Sequence, residues 1–152
     1  MDTEIKRLME LCQLPEEMSL QTIKLLLSHL PNLMGYLTEQ LKVTEEELML
    51  ARALVERTKD NVIVELMEQS LPKWRLDLEA RSHPSNRKAE AQLEKTKLKL
   101  KRLLLDMDVA KAKLDAVKKV ANLEANDVFG QLRSEAVSRG SSRPASQRYG
   151  QG

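Results

Sequence analysis

From Leu93 to Val128 a seam recurs at alternating steps of three and four residues: Leu93, Thr96, Leu100, Leu103, Met107, Ala110, Leu114, Val117, Ala121, Glu124 and Val128. A seven-residue repeat held this long belongs to a helix that lays one edge against another helix. The stretch "LEKTKLKLKRLLLDMD" inside it alternates Lys and Leu as a half-buried strand would. That alternation covers only Lys95 to Lys101, whereas the heptad accounts for the whole run. The element is therefore a helix, expected from near Ser85 to about Arg139 and roughly 80 Å long at about 1.5 Å per residue.

A second seam precedes it between Asn32 and about Ser70, through Met34, Leu37, Leu41, Leu48, Ala51, Val55, Val62 and Leu66. The "TEEE" at Thr44 to Glu47 has the form of a capping box. The stripe passes through it in phase, so one continuous helix with a bend near Val43 is expected. Between the two seams, "LPKWRLDLEARSHPSN" carries Pro72 and Pro84 and marks a turn over residues 71–86, with Ser82 or Ser85 available to start the next helix. Two rods of similar length joined by such a turn fold back on each other.

The ends of the chain read differently. Residues 1–31 suggest two short helices, the first with Ile5, Leu8, Met9 and Cys12 on one stripe and ended by Pro15. The second is capped by Ser19, carries Leu20, Ile23, Leu26, Leu27 and Leu30, and is closed by Pro31. Residues 140–152, "GSSRPASQRYGQG", are mostly Gly, Ser, Pro and Gln without apolar partners to offset ordering entropy and are expected to be disordered. With 152 residues, 5 Gly, 5 Pro and 4 aromatic side chains, the chain fits one all-α domain. The expected fold is a long antiparallel helical hairpin over residues 32–139, with two short amino-terminal helices and a disordered basic tail.

Charge is divided between the arms. Residues 1–71 hold seven Lys/Arg against thirteen Asp/Glu, and residues 86–119 hold eleven against five. Opposite arms attract, so the charges favour the pairing while the apolar seam stabilises it. Val43, Leu50 and Leu54 on the first arm and Leu104 and Leu105 on the second lie outside the seams. Covering them calls for the amino-terminal helices or a second copy, and a homo-oligomer is expected.

The residues offer little for catalysis. His29 and His83 are far apart, Cys12 has no neighbouring histidine, and no spacing matches a zinc site or a phosphate-cradling loop. The expectation is a non-enzymatic protein with no cofactor and no metal. A single cysteine and no apolar leader point to a reducing, cytoplasmic setting, and no run approaches the roughly 20 apolar residues that span a membrane.

Binding is the stronger reading. Lys95, Lys97, Lys99, Lys101 and Arg102 cluster on one rigid rod, and such cations neutralise successive phosphates without reading sequence. Arg139, Arg143 and Arg148 extend that positive charge into the tail, with Tyr149 available for stacking. Single-stranded nucleic acid is the partner these residues suggest. The bland reading has the lysines facing the acidic arm or water. Trp74 is either an anchor for a protein partner or, more simply, a plug for the end of the hairpin.

The segments "YLTEQLKVTEEELMLARALVERTK" and "RKAEAQLEKTKLKLKRLLLDMDVAKAKLDAVKKV", from Tyr36 to Val120, resemble those of phage-type helical recombination mediators. The resemblance implies an oligomer of helical subunits that loads a recombinase onto single-stranded DNA, in a virus-encoded setting. The acidic first half and the extra short helices depart from that pattern, and no residue role is carried over. The expected function is a DNA-associated accessory protein. Its alternatives are a purely protein-binding coiled-coil adaptor, an assembly scaffold, or an inhibitor of a partner enzyme.

Overall fold

The computed structural model describes residues 3–141, which form four helices: α1 (Thr3–Leu11), α2 (Leu20–Met67), α3 (Lys73–Ser82) and α4 (Pro84–Ser141). There is no strand among the described residues. The two long helices α2 and α4 pack along each other as an antiparallel hairpin, and α3 forms its tip. Of the tail expected from residue 140, only Gly140 and Ser141 fall within the described residues, as the end of α4.

One boundary differs from the sequence expectation: Pro31 does not close a helix. It lies exposed inside α2, which runs on from its Ser19 cap, where the side chain accepts a hydrogen bond from the Thr22 amide at 3.1 Å. A proline in a helix interior costs about 3 kcal/mol. Leu26, Leu30, Leu33 and Leu37 are all buried in one seam spanning it. Each is worth about 1.5–3 kcal/mol, so keeping the four in register outweighs the break. The second short helix is thus the first part of α2.

Thr44 is likewise no helix start. It is fully buried in the seam, and its hydroxyl donates to the Gln40 carbonyl at 2.7 Å, leaving no polar group unpaired. At the tip, the start of α4 belongs to His83 rather than Ser82 or Ser85. His83 is extended at φ −61° and ψ 131°, and its Nδ1 accepts from the Ser85 amide at 3.2 Å while Pro84 takes the first helical position. Asn86 then ties α3 to α4 by donating to the Ala80 carbonyl at 2.6 Å.

The hairpin has two unlike halves. At the open end α1 lies on the α2–α4 pair, and Ile5 and Cys12 join Ile23, Leu26, Leu30, Leu33, Leu37, Leu103, Met107, Ala110 and Val117 in one core. Between that core and the α3 tip, α2 and α4 meet alone. There the buried α4 residues are Asn86, Ala89 and Thr96, opposite Thr44, Leu48, Ala51, Val55, Val62 and Leu66 of α2. The α4 members are small or polar, so the tip half buries less apolar surface per turn. The α4 seam loses its partner near Glu124, which is exposed, because α2 begins only at Leu20.

Candidate docking and nucleic-acid interface

With Leu93 at position a of the heptad, α4 presents Ala91, Leu98, Leu105 and Ala112 along position f, the line opposite the seam. All four are exposed, Leu98 by 58% and Leu105 by 56%. The cations flank this apolar line instead of forming one patch. Lys95, Lys99 and Arg102 lie on one side and Lys97 and Lys101 on the other.

Their pairing is uneven. Lys99 reaches across the hairpin to Glu47 at 3.1 Å, and Lys97 binds Glu94 of its own helix at 2.9 Å. Lys95, Lys101 and Arg102 form no ion pair. Among the described residues Glu47–Lys99 is the one ion pair joining α2 to α4, so charge contributes little to holding the arms together. A half-exposed pair of this kind is worth at most about 1 kcal/mol. Arg143 and Arg148 lie outside the described residues, as does the side chain of Arg139.

The outer face of α2 is the reverse of that of α4. With Leu41 at position a, its outermost line is Glu39, Glu46, Ala53 and Asp60, all exposed. Apolar side chains border the line: Val43, Leu50 and Val64 on one side, Met49 and Ile63 on the other. Leu50 is 72% exposed and Met49 70%. The apolar sides noted in the sequence are therefore not covered by α1, which sits at the open end. Trp74 is 70% exposed on α3 and does not plug the tip; half-buried Leu71 and Leu76 and buried Asn86 occupy that end.

Between the arms, on the flank that α1 partly fills, lies a groove of about 620 Å³. It is lined by Ile5, by Gln40 and Glu47 of α2, and by Lys95, Lys99 and Arg102 of α4 with their neighbours. Farther along the same α4 stripe, Asp106 is half-buried, and its Oδ2 is enclosed without a hydrogen-bond partner. Burial pushes its carboxyl pKa up. The folded state therefore holds this proton more tightly than the unfolded chain, and Asp106 penalises folding as the pH rises through its folded pKa. Asp106→Asn is expected to melt with the wild type at or below about pH 4, near the ordinary carboxylate pKa, and above it at about pH 7. Thermal melts across that range check this, and a gap that stays constant with pH contradicts it.

Cys12 is fully buried beneath α1, and burial pushes its thiol pKa up against the smaller opposing effect of the Lys113 ammonium. It is poorly suited to act as a nucleophile there. Among the described residues no three or more His, Cys, Asp or Glu side chains converge as a metal site, and no helix is long and apolar enough to cross a membrane. No family model, curated protein or solved structure matches this chain.

Proposed function

We propose that this chain is a non-enzymatic assembly module whose copies associate head to tail, the outer face of α2 in one copy lying on the outer face of α4 in the next. The observation that carries this reading is the reciprocity of the two faces. One has an acidic centre with apolar borders, the other an apolar centre with cationic borders. Juxtaposing them buries Leu50 and Met49 against Leu98 and Leu105 and sets Glu46 beside Lys101 and Arg102, with Asp60 farther along the same line. Pairing like faces instead sets cations against cations, which specificity disfavours.

A head-to-tail contact uses two different patches, so each is blocked separately. Glu46→Lys with Asp60→Lys disables the α2 face, and Lys101→Glu with Leu105→Glu disables the α4 face. Sedimentation of the wild type is expected to give masses above the monomer, and each double variant alone the monomer. A mixture of the two variants is expected to stop at the dimer, because one good face of each kind remains. A monomeric wild type at high micromolar concentration, or variants that still assemble alone, sinks the reading.

A second reading, binding of single-stranded nucleic acid, is favoured by one observation: Lys95, Lys101 and Arg102 carry charge that no acidic partner in the hairpin neutralises. It makes the chain the DNA-associated accessory protein that the resemblance implies. Under it, a labelled oligonucleotide binds at low ionic strength, with affinity falling steeply as salt rises. Reversing those three charges removes the binding. No binding at about 50 mM salt rules this reading out, since released counterions supply most of such an affinity.

A further inference from the structure

We infer that the groove between Gln40 and Glu47 of α2 and Lys95, Lys99 and Arg102 of α4, together with the exposed Val43, Leu50 and Leu54 that share the Glu47 stripe beside it, docks an acidic amphipathic helix of a partner protein. Its shape has a precedent within the molecule. On the same flank, toward the open end, α1 packs along α2 and buries Ile5, with Leu8 and Met9 half-buried, in the core that α4 side chains share. Ile5 forms the end wall of the groove, so a second helix seated there continues the track that α1 begins.

The chemistry of the two walls specifies the occupant. On α2, Val43, Glu47, Leu50 and Leu54 follow one another at steps of four, three and four, and so share a stripe. Its three apolar members are 47%, 72% and 46% exposed. Opposite them, Gln92, Lys95, Lys99 and Arg102 form the matching stripe of α4, where only Lys99 has an acidic partner. The α2 side thus offers exposed apolar side chains just outside Glu47, and the α4 wall offers the cations Lys95 and Arg102 without an acidic partner. A helix with leucines toward α2 and carboxylates toward α4 satisfies both, as helix-in-groove recognition requires.

A second copy fits this groove poorly under twofold symmetry. With tips opposed, the cationic wall of one copy meets that of the other. With tips aligned, the two α1 helices compete for one space. Leu50 and Arg102 border both this groove and the faces used in head-to-tail assembly, so the two readings share those side chains and are told apart by their separate readouts.

The test uses the full chain and two labelled synthetic helices of about 14 residues, since the groove runs roughly 20 Å from Gln40 to Leu54 at about 1.5 Å per residue. Both peptides carry the same leucine stripe. One has glutamates along its edge and the other has lysines. The glutamate peptide is expected to bind by fluorescence anisotropy at least about tenfold more tightly than the lysine peptide. Lys95→Glu with Arg102→Glu, both at exposed positions, is expected to reverse that preference, and Leu54→Asp to weaken both peptides. Circular dichroism checks that each variant remains folded. Equal affinity for both peptides, no binding of either, or a preference unchanged in the charge-reversed variant overturns the inference. Displacement of the peptide at these residues by an oligonucleotide that binds more tightly overturns it too. Sedimentation of the same samples reports assembly separately, so either idea can fail alone.

Discussion

Truncating Leu30 to alanine is expected to cost about 3–4 kcal/mol of folding free energy, a large share of the roughly 5–15 kcal/mol that holds a domain together. Leu30 is fully buried where three helices meet, in the core with Ile5 of α1 and Val117 of α4. The surrounding helices are long and mutually braced, so the site has little freedom to collapse around the cavity. The equivalent truncation of Leu93, half-buried in the two-helix tip half, is expected to cost about half as much. Urea titration with a helicity readout checks both. A Leu30→Ala variant losing less than Leu93→Ala contradicts the placement of the core at the open end. Hydrogen exchange should agree, with amides around residues 44–66 and 86–100 exchanging before those around 23–37 and 103–117.

The opposite sign is expected at Pro31. Alanine there restores the amide donor that the Leu27 carbonyl lacks and removes the clash of the ring with the preceding turn. The gain is about 3 kcal/mol in an exposed helix interior, less about 0.5–1 kcal/mol because proline also restricts the unfolded chain. A net stabilisation of about 2 kcal/mol should raise the melting temperature by about 4–8 °C for a chain of this length. Pro31 is exposed and its neighbours Leu30 and Leu33 point the other way, so no packing is lost. A lower melting temperature for Pro31→Ala means that the proline shapes α2 to fit α4, and the account of why the helix passes through it is then wrong.

Much of the hairpin was readable from spacing alone. The seam positions of α4 from Leu93 to Ala121 are buried or half-buried in order, and those of α2 from Met34 to Leu66 follow the same rule. The stripe of α1 was equally legible, because Ile5, Leu8, Met9 and Cys12 are the side chains that turn inward. Local grammar was weaker wherever it competed with packing. Pro31 and the capping-box pattern at Thr44 are both strong local stop or start signals, and both are overridden by leucines buried on either side. His83 supplies the cap acceptor for α4, a role visible only once the turn geometry places its Nδ1 beside the Ser85 amide.

The candidate surface was half legible. The residues that carry charge were identifiable as a cluster in the chain, but their distribution was not. Helical geometry divides Lys95, Lys99 and Arg102 from Lys97 and Lys101 across an apolar line, and pairing across the hairpin takes up Lys99 alone. The expectation that acidic and basic arms neutralise each other along their length is met at one ion pair among the described residues. Most of the charge on the two arms therefore faces outward.

Periodicity by itself determined the fold class, the two rods and the residues that join them, because a heptad seam can be buried only against another seam. Where the core is thick, which cations are spoken for and which apolar side chains stay uncovered were decided by the tertiary structure. The physical reason is that α1 is short: its nine residues cover one flank of the open end alone. Toward the tip the α4 side of the seam buries Asn86, Ala89 and Thr96 while Leu98, Leu104 and Leu105 stay exposed, an arrangement that no single helix reveals about itself.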